Sequence, residues 1–326
     1  MNCPDIPHHG AKDVVAGSCH QLLMGAQHRL LIDCRLFQGA EPSAEGKSTA
    51  ERLAIESTLD TIKALIATHV YIDHVGRIPY LLASGSKGPI LCSELSAKLL
   101  PIVLDDAFKL GPSREQKQVE RYIKLIEQRI IALPCKAWFT LHDTQSLVCR
   151  IRLQRAGHIF DSAYLEVDLH YPQSGEKKRM VFSGDLGAPH APLLPAPKPP
   201  YRADILVIES TYGEGRCTRR QRLERVVEQA LADNGTVLIP AFSIGRTQGQ
   251  LYELEDIIHR KKLNTSRLAE TPFWDNEAPQ RAKQGRNPLG FQQLLIVDSH
   301  QANLAMVRHL TETASSGHHH RWERYV

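Results

Sequence analysis

The feature that most constrains this chain is the stretch 68–82, which follows the apolar run 64–67. An apolar run of this kind is typical of a buried strand. Three potential metal ligands come directly after it: His69, Asp73 and His74. The apolar spacing beyond them predicts a helix, whose free backbone N–H groups would point back at the ligands and at any phosphate bound there. The stretch therefore predicts a strand, a ligand cluster and a helix in immediate succession.

The composition is that of an ordinary globular protein with room for two domains. The chain has 326 residues, 42% of them hydrophobic, and can bury a substantial core. Its net charge of +4 is small for a dedicated nucleic-acid binder, which concentrates basic residues in one patch. The seven cysteines lack CxxC spacing, which disfavours a disulfide framework and a cysteine zinc site. Without a bilayer-length apolar run or a secretory signal, we expect no membrane association and a cytoplasmic location.

The part of the chain before residue 200 alternates between predicted strands and predicted helices. Apolar segments separated by glycine predict strands over residues 14–40, and apolar alternation predicts them again over 137–181. Between these two groups, residues 93–109 and 113–133 have helical spacing, the second after a capping-box pattern. The proline-dense segment 192–200 is compatible with neither a helix nor a central strand.

We therefore predict a domain boundary after this segment, with a first domain at 1–203 and a second at 204–326. The second domain opens with a strand that ends at Glu209, and its alternating pattern is the start of a parallel, doubly wound unit. Its predicted elements are a strand at 205–208, a helix at 218–233, a strand at 236–240, a helix at 245–262, a strand at 294–297 and a helix at 303–313.

Imidazole and carboxylate groups recur at the predicted strand ends. Asp33 ends a strand of the first group, His158 and Asp185 follow strands of the second group, and Glu209 ends the strand that opens the second domain. Taken singly, an Asp or a His in such a place is more often a turn residue or a structural histidine. Their repetition at strand ends, together with the cluster in 68–82, indicates a shared site.

The ligand types in this set predict a metal-dependent hydrolase. Imidazole and carboxylate without thiolate suit Zn²⁺ or Mn²⁺, and five such ligands can hold two ions. Two ions about 3.5–4 Å apart lower the pKa of a bound water towards ~7 and neutralise charge on a phosphate or acyl oxygen. Residues 245–249 lack the lysine of a P-loop, and the chain has no GxSxG motif. The five predicted ligands are His69, Asp73, His74, His158 and Asp185.

In their order and spacing, these segments resemble the metallo-β-lactamase superfamily and, within it, the β-CASP branch of RNA-processing nucleases. The resemblance covers nearly the whole chain. The matching runs are 17–20, 32–33, 36–39, 68–69, 72–74, 76–77, 157–158, 162–163, 182–187, 209–213, 239–243 and 245–248.

The resemblance implies an α/β protein: an αββα sandwich with an inserted β-CASP domain that begins near Asp204. It also implies a dinuclear zinc site that hydrolyses phosphodiester bonds, with single-stranded RNA as the substrate and a homodimer as a further possibility. By matching positions, one ion would be held by His69 and His158, the other by Asp73 and His74.

The same matching gives roles to the remaining acidic residues. Asp185 would bridge the two ions, and Asp33 would orient the ligands from behind. Asp73 and Glu209 would be catalytic, Glu209 as the acidic residue that opens the β-CASP segment.

The sequence departs from the family pattern at several positions of the site. Tyr71 stands where the family has a further histidine, and a tyrosine phenol, with a pKa near ~10, ligates poorly unless the metal deprotonates it. Loss of a residue that merely supports a ligand costs about 10–100-fold in metal affinity or activity, so loss of a ligand should cost at least as much. Arg35, Phe160 and Asp161 stand where the family usually has glycine or small residues.

These departures leave three alternatives. The first is a working two-zinc ribonuclease. The second is a catalytically inactive RNA-binding or scaffold paralogue. The third is a product that folds poorly, because a truncated chain would leave sheet edges and apolar faces uncovered.

The last residues, 318–326, depart most from the family, and we expect a truncation caused by a shifted reading frame. The chain reads His-His-His-Arg-Trp-Glu-Arg-Tyr-Val where the family has Ile-Ile-Ile-Ala-Gly-Asn-Gly-Met-Cys. The codons CAT-CAT-CAT-CGC-TGG-GAA-CGG-TAT-GTG encode the first, and reading them one base later gives ATC-ATC-ATC-GCT-GGG-AAC-GGT-ATG, which encodes the family motif.

Resequencing the gene tests this prediction. We expect a frame correction before codon 318 to restore the family motif and to continue into an open frame. A confirmed sequence in which no frame correction restores the motif would show the hypothesis to be wrong.

Overall fold

The structure is a computed structural model that describes residues 4–10, 18–34, 59–110, 116–188, 191–211, 223–226, 229, 236–242, 244–260 and 293–298. The chain divides into two compact units. The first comprises Met1–Pro189 and Pro195–Thr211, and the second comprises His190–Leu194 and Tyr212–Val326.

The first unit begins with a six-stranded sheet in the order β1-β2-β3-β4-β5-β6. β1 to β3 are antiparallel neighbours, and β3 to β6 are parallel ones. The strands are β1 His8–Gly10, β2 Cys19–Gly25, β3 His28–Ile32, β4 Ile62–Ile66, β5 Ile90–Ser93 and β6 Ile130–Leu133. The 3-10 turn Leu59–Thr61 precedes β4, and the helices between the strands are α1 Ile72–Val75, α2 Ile78–Ala83, α3 Glu94–Leu110 and α4 Gln116–Arg129.

The second sheet of this unit has five strands in the order β11-β10-β9-β8-β7. Its neighbours are antiparallel except for the parallel pair of β10 and β11. The strands are β7 Trp138–Asp143, β8 Val148–Arg155, β9 Ala163–Tyr171, β10 Glu176–Phe182 and β11 Ile205–Val207. Because β11 pairs with β10, this strand belongs to the first unit, and the structure divides the chain after Thr211 rather than after residue 203.

The two sheets face each other across one hydrophobic core. Leu30 and Ile32 of the first sheet and Ile151, Leu165 and Phe182 of the second are all buried in it. Burial alternates along β8, as the two-residue period of a strand requires. Each fully buried large apolar side chain contributes about 1.5–3 kcal/mol. This sandwich confirms the fold predicted from the sequence.

One predicted helix is shorter than expected. The spacing of 113–133 predicts a helix to the end of that range, but α4 ends at Arg129 and the next four residues form β6. Ile131 pairs with Leu91 of β5, and β-branched side chains suit a strand. The sheet partner, which helical periodicity does not reveal, decides where the helix ends.

The second unit contains a parallel strand pair and a helix in the described part of the chain. β12 Thr236–Ala241 pairs with β13 Gln293–Asp298, and α5 Arg246–Arg260 follows β12. These elements agree with the predicted strands and helix. Arg35, most of the helix predicted at 218–233, the helix predicted at 303–313 and the tail lie outside the described residues. Within the described part, no helix combines the length and apolar character that crossing a membrane requires.

Two glycines let the loop after β10 approach its neighbours closely. Gly184 has a φ of 52°, and a Cβ on it would lie 2.8 Å from the Thr68 Cβ. A Cβ on Gly187 would collide with the carbonyl of Gly157, and the Gly187 N–H donates to the Ala156 oxygen at 2.8 Å. The loop that carries Asp185 is therefore fixed by backbone contact with two other loops.

Replacing Gly184 by alanine should destabilise the protein more than replacing Gly175. Both have positive φ, 52° and 70°, so both variants bear the cost of a left-handed residue, about 1–2 kcal/mol. Nothing lies within 4 Å of a Cβ on Gly175, whereas Gly184→Ala also overpacks against Thr68, which should cost about 1–3 kcal/mol more. Equal free energies of unfolding for the two variants, measured in urea, would contradict the close packing described here.

Candidate metal centre

The predicted ligands lie on loops that leave neighbouring strands. β3 and β4 are parallel, with Ile32 paired to Ile66, so the residues after each of them emerge at the same edge of the sheet. The Asp33 N–H donates to the Ile66 oxygen at 2.8 Å, which extends this pairing by one step. His158 lies between β8 and β9, and Asp185 follows β10. The sandwich therefore brings loops from both sheets together.

A buried carboxylate organises the first of these loops. Asp33 is 1% exposed, and its Oδ1 accepts the Thr68 N–H at 2.8 Å. Its Oδ2 accepts the Thr68 hydroxyl at 2.8 Å and the His74 Nδ1–H at 2.8 Å. A carboxylate on Nδ1 is the usual partner of a metal-binding histidine, because it fixes the tautomer and leaves Nε2 for the metal.

The Thr68 hydroxyl links Asp33 to His69 through hydrogen bonds. Since the hydroxyl donates its proton to Asp33, its lone pair can accept the His69 Nδ1–H, 3.2 Å away. His69 is 0% exposed, and its Nε2 has no hydrogen-bond partner among the described residues. An unsatisfied buried polar atom costs about 1–3 kcal/mol, so its presence calls for an explanation. A metal ion at His69 Nε2 supplies one.

Several ligand atoms converge in front of His69. His69, His158 and Asp185 each contribute one ligand atom, and these three atoms lie within 4.8 Å of one another. The two oxygens of Asp185 face different histidines: Oδ1 is 3.3 Å from the His74 Nε2, and Oδ2 is 3.6 Å from the His158 Nε2. Asp73 is placed further out, with its Oδ2 3.9 Å from the His74 Nε2. The structure thus brings all five predicted ligands into one cluster, with Asp185 between the histidines.

The electrostatics of the cluster suit a cation. Burial, helped by the neighbouring His74, holds the pKa of His69 well below its usual value, so its imidazole is neutral and able to ligate. Burial raises the pKa of Asp185, but its hydrogen bond to His74 and the charge of that imidazole outweigh burial and bring the pKa below its usual range. For His74, burial lowers the pKa, but Asp33 and Asp185 raise it by more, so the pKa lies well above its usual value. Metal binding at His74 would displace a proton.

Tyr71 lies beside the cluster. It is the N-cap residue of α1, and its ring centroid is 5.2 Å from that of His69 and 5.5 Å from that of His158. The ring therefore borders the two histidines predicted to share an ion.

Glu209 is placed differently from the predicted ligands. Its carboxylate accepts the N–H of Leu186 at 3.1 Å and that of Thr211 at 2.7 Å, and its own N–H donates to the Ser183 hydroxyl at 3.0 Å. These contacts tie Glu209 to the loop that carries Asp185. Its predicted catalytic role stays a prediction.

Two hydroxyl residues were missed by reasoning from the sequence. Thr68 links Asp33 to His69, and the Ser162 Oγ accepts the N–H of His158 at 2.9 Å and that of Ile159 at 3.1 Å. The available signal was their position: each is a small hydroxyl residue within a few positions of a candidate ligand, where it can satisfy loop amides.

Comparison with known proteins agrees with this geometry. A family model described as the metallo-beta-lactamase superfamily matches residues 17–207. Ribonuclease TTHA0252 of Thermus thermophilus is 32% identical, over 92% of this chain and 69% of that protein. Transcription termination factor FttA of Cenarchaeum symbiosum is 31% identical, over 80% of this chain and 39% of that protein. Cleavage and polyadenylation specificity factor subunit 3 of Dictyostelium discoideum is 26% identical, over 76% of this chain and 31% of that protein.

The chain spans about two thirds of the first of these relatives and less than half of the other two. The family model covers more than half of the chain, and superfamily membership implies a divalent metal. On these grounds the chain belongs to the metallo-β-lactamase superfamily and, within it, to the β-CASP branch.

Proposed function

We propose that this chain is a metal-dependent hydrolase of phosphodiester bonds in RNA. The observation that carries the proposal is the convergence of His69, His158 and Asp185 around a buried imidazole nitrogen without a hydrogen-bond partner among the described residues. The names of three relatives, a ribonuclease, a termination factor and a cleavage factor subunit, support RNA as the substrate. Single-stranded RNA, a homodimer and a cytoplasmic location remain predictions.

The residues present fit two zinc ions. We assign His69 and His158 to one ion, Asp73 and His74 to the other, and Asp185 to both, because its two oxygens face different histidines. Bound zinc would lower the pKa of water towards ~7 and neutralise charge on the phosphate.

Behind the ligands, Asp33 holds the Nδ1 proton of His74 and keeps its Nε2 directed at Asp185. The Asp73 side chain, 27% exposed, is within reach of solvent, and we assign it the role of holding a proton from an attacking water. Glu209 positions the backbone next to Asp185 through the Leu186 amide.

One observation favours a second function, an RNA-binding or scaffold protein without catalysis. Tyr71 borders His69 and His158 at the position where the family has a histidine, which leaves their ion one imidazole short. Binding of RNA without cleavage would be the outcome expected of such a protein.

Cleavage of single-stranded RNA by the zinc-loaded protein tests the proposed function. We expect slow cleavage by the wild type and a loss of at least about 10²-fold in kcat/KM for Asp185→Asn, because both half-sites lose a carboxylate. Asp143→Asn, an exposed change on β7, is the matched control and should leave cleavage unchanged. A protein that binds zinc in stoichiometric amounts and RNA, but leaves the RNA intact, would show the proposal to be wrong.

The Tyr71→His variant should bind more zinc than the wild type. The new imidazole would restore a nitrogen ligand beside His69 and His158, so the zinc content should rise towards two ions per chain. Tyr71→Phe is the control: it keeps the ring and adds no nitrogen, so its zinc content should not rise. Elemental analysis after dialysis measures all three proteins. An unchanged stoichiometry in Tyr71→His would rule out Tyr71 as the cause of weak binding.

A further inference from the structure

The loop that carries His158 is a tight turn closed by its own hydrogen bonds. The Ala156 N–H donates to the Ser162 oxygen at 2.8 Å, and the Ser162 N–H donates to the Ile159 oxygen at 3.1 Å. The Ser162 hydroxyl accepts the N–H groups of His158 and Ile159. The turn is therefore a small rigid unit, and the position of His158 depends on what holds this unit in place.

In the described structure, backbone hydrogen bonds join the turn to neighbouring loops at two points. The Ala163 N–H donates to the Thr68 oxygen at 2.8 Å, next to His69. The Gly187 N–H donates to the Ala156 oxygen at 2.8 Å, on the loop that carries Asp185. Both contacts lie at the base of the turn, where β8 and β9 meet it, so a contact at its outer part would add a further anchor.

Asp161 occupies that outer part in an unfavourable backbone conformation. Its φ is 59°, in the left-handed region, which costs a residue with a side chain about 1–2 kcal/mol. Glycine avoids this cost, and aspartate is among the few other residues that tolerate it. Asp161 also stands at a position where the sequence departs from the family pattern. We therefore expect the Asp161 side chain to make an interaction that offsets the cost of this φ.

The Asp161 side chain and carbonyl both bond to the start of α3. The Oδ2 atom accepts the Leu95 N–H at 2.8 Å, and the Asp161 carbonyl accepts the Ser93 hydroxyl at 2.7 Å. A serine directly before a helix normally accepts an amide of the first turn with its own hydroxyl. Here Ser93 donates its hydroxyl to the turn, and the carboxylate of Asp161, 66 residues away from Leu95, accepts the amide.

The Asp161 carboxylate makes this contact at the N-terminus of α3, beside the Cys135 thiol. The partial positive charge at the N-terminus of α3 attracts an anion, and a hydrogen bond to an ionised group is about twice as strong as a neutral one. The Cys135 thiol donates to the Asp161 Oδ1 at 3.8 Å. Burial, followed by the charge of Asp161, raises the pKa of Cys135 to about 11, so the thiol keeps its proton and remains a donor.

We propose that Asp161 is a positioning residue for His158: it ties the outer part of the His158 turn to the N-terminus of α3 and thereby fixes the imidazole at the metal centre. This inference rests on the proposed metal site, because the benefit is felt through His158. By this proposal, Asp161 supports the metal site at a position where the family usually has glycine or a small residue. Tyr71, by contrast, would remove a ligand.

Zinc affinity across three variants tests the proposal. Asp161→Gly removes the carboxylate that accepts the Leu95 N–H and relieves the left-handed strain, while the carbonyl of residue 161 can still accept the Ser93 hydroxyl. We expect zinc affinity to fall about 10–100-fold, the usual effect of losing a residue that supports a ligand. Asp161→Asn keeps an oxygen acceptor and tolerates the conformation, so its affinity should stay within about threefold of the wild type. Lys136→Gly is the matched control, since Lys136 also has positive φ, 72°, and its N–H donates to the Leu153 oxygen of β8 rather than to the His158 turn.

A second measurement separates this proposal from the proposed function. In metal-free protein with ¹⁵N-labelled histidine, the ring resonances of His158 should shift or broaden in Asp161→Gly and stay unchanged in Lys136→Gly. A wild type that binds no zinc would refute the proposed metal site and leave the His158 resonances to decide the role of Asp161. If Asp161→Gly keeps wild-type zinc affinity or wild-type His158 resonances, Asp161 only caps α3 and the proposal is overturned.

Discussion

The site depends first on a buried carboxylate. Asp33 is almost completely removed from water, and an ion in that position is tolerated only when hydrogen bonds replace its hydration. The backbone and hydroxyl of Thr68 and the imidazole of His74 provide them. The same bonds that make the buried charge acceptable also set the tautomers of His69 and His74, so stability and site geometry have one origin.

The remaining ligands are placed by backbone contacts between loops. The loop of Asp185 packs against Thr68 at Gly184 and against Gly157 at Gly187, with no space for side chains at either glycine. These contacts need no ion, because strand ends and close backbone approach hold the loops where they are. A metal ion bound as proposed would therefore meet a nearly formed cluster of ligands, which would reduce the ordering cost of binding.

Two departures from the family pattern, Tyr71 and Asp161, should have opposite effects on the proposed metal site. Tyr71 borders His69 and His158 with an aromatic ring, and in the proposed metal site it would supply no imidazole there. Asp161 has an unfavourable φ, but its carboxylate accepts the Leu95 N–H at the start of α3. A departure from the family motif therefore does not by itself indicate loss of function, since its effect depends on what the side chain at that position contacts.

The sequence alone predicted most of the described strands and helices and named the five residues that lie together at the centre, because apolar periodicity and strand-end position are local properties of the chain. It did not determine where α4 ends, since β6 exists only through its pairing with β5. Nor did it show that Glu209 binds backbone amides near Asp185, or that Asp161 bonds to α3. Those contacts join residues far apart in the chain, and only the packing of the two sheets decides which loops meet.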